Sequence, residues 1–392
     1  MLPLEGITVI ALEQALAAPL ATRHLADLGA RVIKIERPEV GDFARDYDTT
    51  VRGMASHFVW ANRSKESLTL DLKREQAREV LHRLLAKADV FVQNLAPGAC
   101  ERLGWGTTEL QNRYPRLIVC NLSGYGSTGP YRDKKAYDLL IQSEAGLVSV
   151  TGTEETPSKV GISIADTAAA MYAYSGVLTA LLLRNRTGKG TAIEVSMLEA
   201  LGEWMGYAAY YTSYGGSPPP RTGAKHAAIA PYGPFVAGDG EVVYLAIQNE
   251  REWSRFCATV LERAELAVDP RFQNSSRRVQ NRTALEQIIN EIFQRLTRAE
   301  VIERLESAQT AYARLNSVQE FVEHPQLAAR QRWREIESPA GPLRALIPPA
   351  TIEGVESRMG AVPALGQHTQ AILEELGFDA ATVAAWKSAG VI

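Results

Sequence analysis

The chain has 392 residues, 46% hydrophobic and 22% charged, with a formal net charge of −3. That composition is globular, and the length favours two domains over a single core. The near-neutral balance excludes a dominant basic surface for nucleic acid or anionic membrane, and three cysteines without C-x-x-C spacing beside six scattered histidines exclude a disulfide frame and a metal cluster.

Residues 6–12 predict a short buried strand from their apolar run. Residues 17–28 predict a helix with Pro19 in its first turn and Gly29 as its stop. Residues 31–36 predict the next strand. Strand, helix and strand within about thirty residues make a βαβ unit, hence a parallel sheet. The turn after the first strand, Glu13-Gln14-Ala15-Leu16-Ala17-Ala18-Pro19, holds no glycine. The pyrophosphate loop of nicotinamide dehydrogenases is therefore missing, although Glu36 stands where a ribose-binding acid would. Strands at 67–71, 89–94 and 117–122 and a helix at 74–87 continue the alternation. They predict an α/β domain with its ligand at the carboxyl ends of the strands. Arg37, Lys73, Asn94 and Arg102 follow successive strand ends. Each alone reads as a solvated group; together they make an edge suited to a phosphate-bearing ligand.

A glycine-rich loop, Ser123-Gly124-Tyr125-Gly126-Ser127-Thr128-Gly129-Pro130-Tyr131, leads to a helix starting near Asp138 and running to Ala145. Asp166 then closes the small apolar segment Val160-Gly161-Ile162-Ser163-Ile164-Ala165 and opens an Ala- and Leu-rich helix. Two readings of Asp166 stand at this point. It is an N-cap, its carboxylate accepting an orphan backbone N–H. Or it is a covalent nucleophile, kept ionised at a helix N-terminus whose N–H groups can also hold an oxyanion. The helix stops at Arg184-Asn185-Arg186-Thr187-Gly188-Lys189-Gly190. Its apolar run, 171–183, is broken by Ser175 and Gly176 and reads as too short for a bilayer. The chain also opens on Leu4-Glu5-Gly6-Ile7 without a signal core, so a soluble cytoplasmic protein is expected.

A strand at 192–195 and a helix at 197–211 precede a shift in composition at Ser213-Tyr214-Gly215-Gly216-Ser217-Pro218-Pro219-Pro220. Beyond it come a hairpin turning at Asp239-Gly240 and helices at 250–261, 283–294 and 298–308. The tail predicts short strands at 335–337 and 344–347 and a final helix at 369–376. The expected organisation is 1–212, an α+β block at 213–325, and a C-terminal part at 326–392.

Several motifs occur in one order along essentially the whole chain. They are Ala26-Asp27-Leu28-Gly29-Ala30-Arg31-Val32-Ile33-Lys34-Ile35-Glu36-Arg37, Asn94-Leu95-Ala96-Pro97-Gly98, Ser123-Gly124-Tyr125-Gly126 with Gly129-Pro130-Tyr131, Ala136-Tyr137-Asp138, Ala165-Asp166, Thr187-Gly188-Lys189-Gly190, and Pro363-Ala364-Leu365-Gly366-Gln367-His368-Thr369. In these the chain resembles the family III CoA-transferases, the group of formyl-CoA transferase and the carnitine CoA-transferases. The resemblance implies that Asp166 attacks an acyl-CoA thioester, giving an acyl-aspartyl anhydride and CoA thiolate. The thiolate then attacks Asp166, giving an aspartyl-CoA thioester and the first acid, and a second acid reverses the steps. It implies that Tyr137 and Asp138 lie beside Asp166. Adjacent carboxylates do not both ionise cheaply, so Asp138 is taken as a hydrogen-bonding positioner. It implies that Leu16, Ala17, Arg37, Leu70, Lys73, Asn94, Leu95, Arg102 and Lys135 surround CoA, which is substrate and product rather than a tightly bound cofactor. It further implies a large Rossmann-like parallel-sheet domain built from both chain ends, a smaller α+β domain and an interlocked homodimer. Formyl-CoA transferase covers its aspartate with consecutive glycines. Here only Gly215-Gly216 and Thr222-Gly223-Ala224-Lys225-His226 stand near, so formyl-CoA or oxalate specificity is not expected.

The α-methylacyl-CoA racemases share this fold but flank the α-carbon with His and Asp. Their His falls at Tyr137, and a tyrosine with a pKa of about 10 is a poor base at neutral pH. A non-catalytic CoA-binding protein would keep Arg37 and Lys73 without needing Asp166. The family also implies that Gly41-Asp42-Phe43-Ala44-Arg45-Asp46-Tyr47 lies near the acyl pocket. There Arg45 either grips the distal carboxylate of a small dicarboxylic acid (succinate, itaconate, mesaconate or malate) or pairs with Asp42 or Asp46, with Tyr47 beside it. The expectation is a CoA-transferase for such acids, with acyl-CoA and acid as its only ligands and neither nucleic acid nor membrane as partner.

Overall fold

The computed structural model describes Met1–Ile392. The chain divides into two compact units: residues 1–145, 161–205 and 326–392 form the first, and residues 146–160 and 206–325 the second. The excursion at 146–160 was not expected, and the boundary falls at 206 rather than 213. Within the second unit Arg221 holds the excursion, donating to the carbonyls of Thr153, Ser149 and Glu154 at 2.8, 3.1 and 2.7 Å.

The first unit is a mixed α/β fold on one parallel sheet. Its strands are β1 (Thr8–Leu12), β2 (Arg31–Glu36), β3 (Lys65–Thr69), β4 (Val90–Gln93), β5 (Ile118–Ser123) and β6 (Ala192–Ser196). They lie in the order β3-β2-β1-β4-β5-β6, all parallel. The central strands read as continuous apolar runs because both faces are covered: Val9, Ile10, Val90 and Phe91 are fully buried. The winding direction reverses between β1 and β4, which opens a crevice at their carboxyl ends. β3 starts two residues earlier than its apolar pattern suggests, since Lys65 is drawn inside by ion pairing.

Helix Ile164–Thr187 packs against helices Ala17–Asp27, Asp138–Glu144 and Met197–Trp204 and against β5 and β6. At 24 residues it is long and apolar enough to cross a membrane by length and composition, longer than its interrupted run implied. Ala165, Ala168, Ala169, Ala173, Val177 and Leu181 are buried in the first unit, whereas Met171, Tyr172, Leu182 and Leu183 of the same helix are exposed. The helix expected at 197–211 breaks at Met205, giving Met197–Trp204 and Gly206–Gly215. Both chain ends build the first unit: His368 N–H donates to the Ser67 carbonyl at 3.0 Å and Thr69 N–H to Thr369 Oγ1 at 3.0 Å. The helix expected at 369–376 forms as Thr369–Glu375, and one more helix, Ala380–Ser388, follows it; Asp379 caps this last helix by accepting from Thr382 N–H at 2.7 Å. Its low amphipathicity hid it from a periodicity search.

The second unit holds an antiparallel sheet of β7 (Tyr232–Val236), β8 (Val242–Ala246) and β9 (Ala311–Arg314). Helices Arg282–Phe293 and Arg298–Ser307 pack on it through Leu285, Ile289, Phe293, Val301 and Leu305. β9 is exposed along its length, so it lacked the alternation that marks a half-buried strand. The tail hairpin β10 (Trp333–Ile336) and β11 (Leu343–Leu346) belongs to the first unit.

Candidate active site

The crevice is floored by Leu12, Ile35, Leu70, Leu72, Leu95 and Leu103 and rimmed by Arg37 and Lys73, and encloses about 190 Å³. That is below the roughly 300 Å³ needed to swallow a whole small ligand. Glu13, Glu36, Asp42 and Asp71 line the crevice as well, the first three paired with Lys65, Arg45 and Lys34, which leaves Arg37 and Lys73 as the cations at its rim for the phosphate end of an extended ligand. Of the residues expected around CoA, Arg37, Leu70, Lys73 and Leu95 meet here. Leu16 and Ala17 are buried at the start of helix Ala17–Asp27. Arg102 folds back on the Pro97 carbonyl at 3.4 Å and does not line the crevice. Lys135 is exposed elsewhere, three residues before Asp138.

Asn94 faces inward. Its amide accepts from Gln14 N–H and donates to the Gln14 carbonyl, both at 2.9 Å, which pins the loop after β1. Ala15 follows with φ +63°, a conformation usually left to glycine. The Ala15 N–H is held by Asp42 Oδ1 at 3.0 Å. Asp42 belongs to a charge network that sequence reasoning missed. Lys34 pairs with Asp42 at 2.8 Å and reaches Glu13 at 3.4 Å, and Lys65 pairs with Glu13 at 2.6 Å. All four side chains are fully buried. Thr22 donates to Glu13 at 2.6 Å, and Lys65 also donates to the Pro19 carbonyl at 2.8 Å and to Asn62 Oδ1 at 3.0 Å. Burial alone would raise the Glu13 pKa, but the two ammonium groups outweigh it and hold the carboxyl below its ordinary range. Charge and hydrogen bonds thus fix the loop that glycines shape in dinucleotide-binding proteins. The available signal was Lys34 between apolar residues of β2; Lys65, at the start of the polar β3, gave none.

Asp166 is not the cap of its helix. The cap position is Ser163, whose side chain makes no capping bond, and Asp166 is the third helical residue. The cap comes from a distant residue. Asp138 Oδ1 accepts from the backbone N–H of Ala165 at 2.8 Å and of Asp166 at 3.3 Å, while Oδ2 accepts from Gln142 Nε2 at 2.6 Å. The neighbouring N–H groups are also taken: Ile164 donates to Ile162 O at 2.9 Å and Thr167 to Ser163 O at 3.0 Å. The helix end therefore has no free N–H for an oxyanion, contrary to the expectation from its sequence. Nor is Asp166 simply ionised. Burial, and then the Asp138 carboxylate beside it, push its pKa up to about 7.

Tyr137 is 64% exposed at the start of helix Asp138–Glu144. Tyr47 is 48% exposed. Partial burial, and then Asp42, Asp166 and Tyr137 within electrostatic reach, push its pKa up to about 12. Arg45 resolves in an unforeseen way. It forms a two-pronged pair with Glu36 at 2.9 and 2.8 Å, donates to the Pro363 carbonyl and lies 3.8 Å from the centre of the Phe58 ring. Burial would raise the Glu36 carboxyl, but Arg45 and Lys34 hold it at about 2. Arg45 thus pairs structurally, with Glu36 rather than Asp42 or Asp46, and its guanidinium is committed.

The first unit thus combines a doubly wound parallel sheet, a slot beyond the ends of β1 and β4 with Arg37 and Lys73 among its lining, and an acid, Asp166, whose pKa is raised by burial and by Asp138. The model of CoA-transferase family III matches residues 4–369. Human succinyl-CoA:glutarate CoA-transferase is 31% identical over 396 residues, spanning 100% of this chain and 90% of that protein. Acetyl-CoA:oxalate CoA-transferase of Acetobacter aceti is 36% identical over 330 residues, 84% of each chain. Among solved structures, a CAIB/BAIF family protein from Brucella suis aligns with a TM-score of 0.83 and 33% identity, over 96% of this chain and 99% of that one. The chain belongs to the family III CoA-transferases, enzymes for which CoA is a substrate.

Proposed function

We propose that the protein moves CoA from an acyl-CoA to a small dicarboxylic acid, with Asp166 carrying first the acyl group and then CoA. The observation that carries this reading is the Asp166 carboxyl, raised to about 7 by burial and by Asp138. A carboxylate of that basicity is a stronger nucleophile than a solvated one, yet a large fraction is ionised near neutral pH. Its attack on the thioester carbonyl expels CoA thiolate and leaves a mixed anhydride. The thiolate attacks the aspartyl carbonyl, and the first acid departs as carboxylate. The incoming acid's carboxylate then attacks the aspartyl-CoA thioester, and the released thiolate takes the new acyl group from the second anhydride, regenerating Asp166. Asp138 keeps the helix end in place throughout. The human relative's name, with succinyl-CoA and glutarate, favours dicarboxylic acids. The test is CoA exchange between an unlabelled acyl-CoA and a labelled free dicarboxylic acid. Labelled acyl-CoA is expected; hydrolysis or α-carbon epimerisation without exchange would refute the reading.

If Arg37 and Lys73 meet CoA phosphates, Ala at either raises the KM for acyl-CoA about tenfold with a smaller change in kcat, as loss of a charge-assisted hydrogen bond would. Steady-state kinetics check this, and unchanged KM values in both variants would remove CoA from the crevice.

We also propose a homodimer in the cytoplasm. Leu182 and Leu183 in the first unit and Tyr207, Tyr210 and Tyr214 in the second are exposed, and apolar surface of this kind usually meets a partner. The three cysteines are buried and unpaired, as suits a reducing compartment. Sedimentation is expected to show a dimer that persists on dilution to nanomolar concentration. A reversible, folded monomer would contradict interlocked chains.

A further inference from the structure

One group beside Tyr47, the His57 imidazole, has no hydrogen-bond partner in the fold. His57 lies in the short helix Ser56–Asn62 and is half-buried. Its ring meets Tyr47 edge-on, with centroids 5.7 Å apart and planes at 85°. Tyr47 in turn packs against Phe43 at 5.8 Å and has Asp166 and Tyr137 within electrostatic reach. His57 Nδ1 is buried without a hydrogen-bond partner, and no hydrogen bond or ion pair within the chain engages Nε2. An N–H buried without an acceptor is costly. The favoured tautomer therefore keeps its proton on Nε2 and leaves a bare lone pair at Nδ1. The cation expected to read the acid, Arg45, is committed to Glu36. The segment thus offers an uncommitted imidazole beside Tyr47, a tyrosine within electrostatic reach of Asp166.

We propose that His57 is the specificity-determining residue for the acid, its Nε2–H donating to the distal carboxylate of a dicarboxylic acid whose other end reacts at Asp166, with Tyr47 against the intervening methylenes. This rests on the dicarboxylate reading above. A monocarboxylic acid of the same length lacks the acceptor and gains nothing from His57. A hydrogen bond to a charged acceptor corresponds to roughly 10- to 100-fold in affinity.

The experiment compares kcat/KM for succinate and glutarate with butyrate and valerate, using one monocarboxylic acyl-CoA donor so that the first half-reaction is common. His57→Leu is expected to lower kcat/KM for both dicarboxylic acids at least tenfold, mainly through KM, and to change the monocarboxylic acids less than twofold. His57→Gln carries an amide N–H to a similar reach and is expected to restore much of the preference. His57→Asn falls one methylene short and is expected to behave like the Leu variant. That Gln–Asn contrast keeps the test decisive if the Leu variant does not fold. Equal losses for both acid classes, or unchanged kinetics with dicarboxylic acids, overturn the assignment and leave the transferase reading standing. A parent enzyme that transfers CoA to monocarboxylic acids alone overturns the dicarboxylate reading and this assignment with it.

Discussion

Asp166→Asn is expected to abolish CoA transfer and, at the same time, to raise the melting temperature. The loss follows from chemistry. An amide nitrogen delocalises into its own carbonyl, so Asn offers no nucleophilic oxygen, and activity should fall by about four orders of magnitude or more. The stabilisation follows from the raised pKa. In the unfolded chain Asp166 titrates near the ordinary 3.8, and in the fold near 7. Well below pH 4 both states hold the proton and the site contributes no difference. As pH rises from about 4 to about 7 the unfolded chain releases a proton that the fold retains, so stability is lost across this window and stays lost above it. The full shift corresponds to on the order of 2–4 kcal/mol. Asn removes that penalty and forgoes only about 0.5 kcal/mol of attraction between an anion and the helix dipole. Melting curves should separate parent and variant most at pH 8 and converge toward pH 4. A variant that melts below the parent at pH 8 would mean that Asp166 is not a destabilised acid. The same titration predicts that kcat/KM for acyl-CoA climbs with pH up to about 7 and then levels.

Glu13→Gln is expected to produce the largest loss of stability, about 3–5 kcal/mol. Glu13 and Asp42 balance Lys34 and Lys65 in a site closed to water. Burial already lowers the Lys65 pKa to about 7 even with Glu13 beside it, so neutralising Glu13 leaves a lysine that must either stay charged without its partner or give up its proton, and both cost stability. Because the folded Glu13 pKa lies below its ordinary value, this contribution is present above the unfolded carboxylate pKa and is lost as pH falls through the folded one. The loop Glu13-Gln14-Ala15-Leu16 should loosen with it, raising the KM for acyl-CoA. Adding Lys65→Met to Glu13→Gln removes the unpartnered amine and should recover more than half of the loss, a coupling that urea denaturation of the four proteins of the cycle measures. A single variant within about 0.5 kcal/mol of the parent would show that the network does not hold the loop.

These two residues show where sequence pattern ends. The parallel sheet was readable because β1, β2, β4 and β5 are short apolar runs between turn signals, and the basic edge because Arg37 and Lys73 follow strand ends. Asp166 was picked out correctly as a helix-opening acid but given the wrong position in the helix. A local search puts the cap at the acid nearest the apolar run, whereas the bond to the first-turn N–H groups comes from Asp138, distant in sequence. Arg45 failed in the same way: its neighbours Asp42 and Asp46 looked like partners, but the fold delivers Glu36 from the end of β2. Lys34 and Lys65 carry no periodic signal, since their burial depends on two acids that only the tertiary structure brings together. The helix Ala380–Ser388 escaped because its small residues give neither an apolar stripe nor a polar face.

The central claim is that Asp166 becomes covalently activated during transfer. Incubating the enzyme with acyl-CoA and then with neutral hydroxylamine traps activated carboxyls as hydroxamates, and peptide mass spectrometry locates them. The label is expected on Asp166 alone, dependent on acyl-CoA and missing from the Asp166→Asn variant. A label on another residue, or an unlabelled Asp166 in enzyme that transfers CoA at its normal rate, would contradict the mechanism.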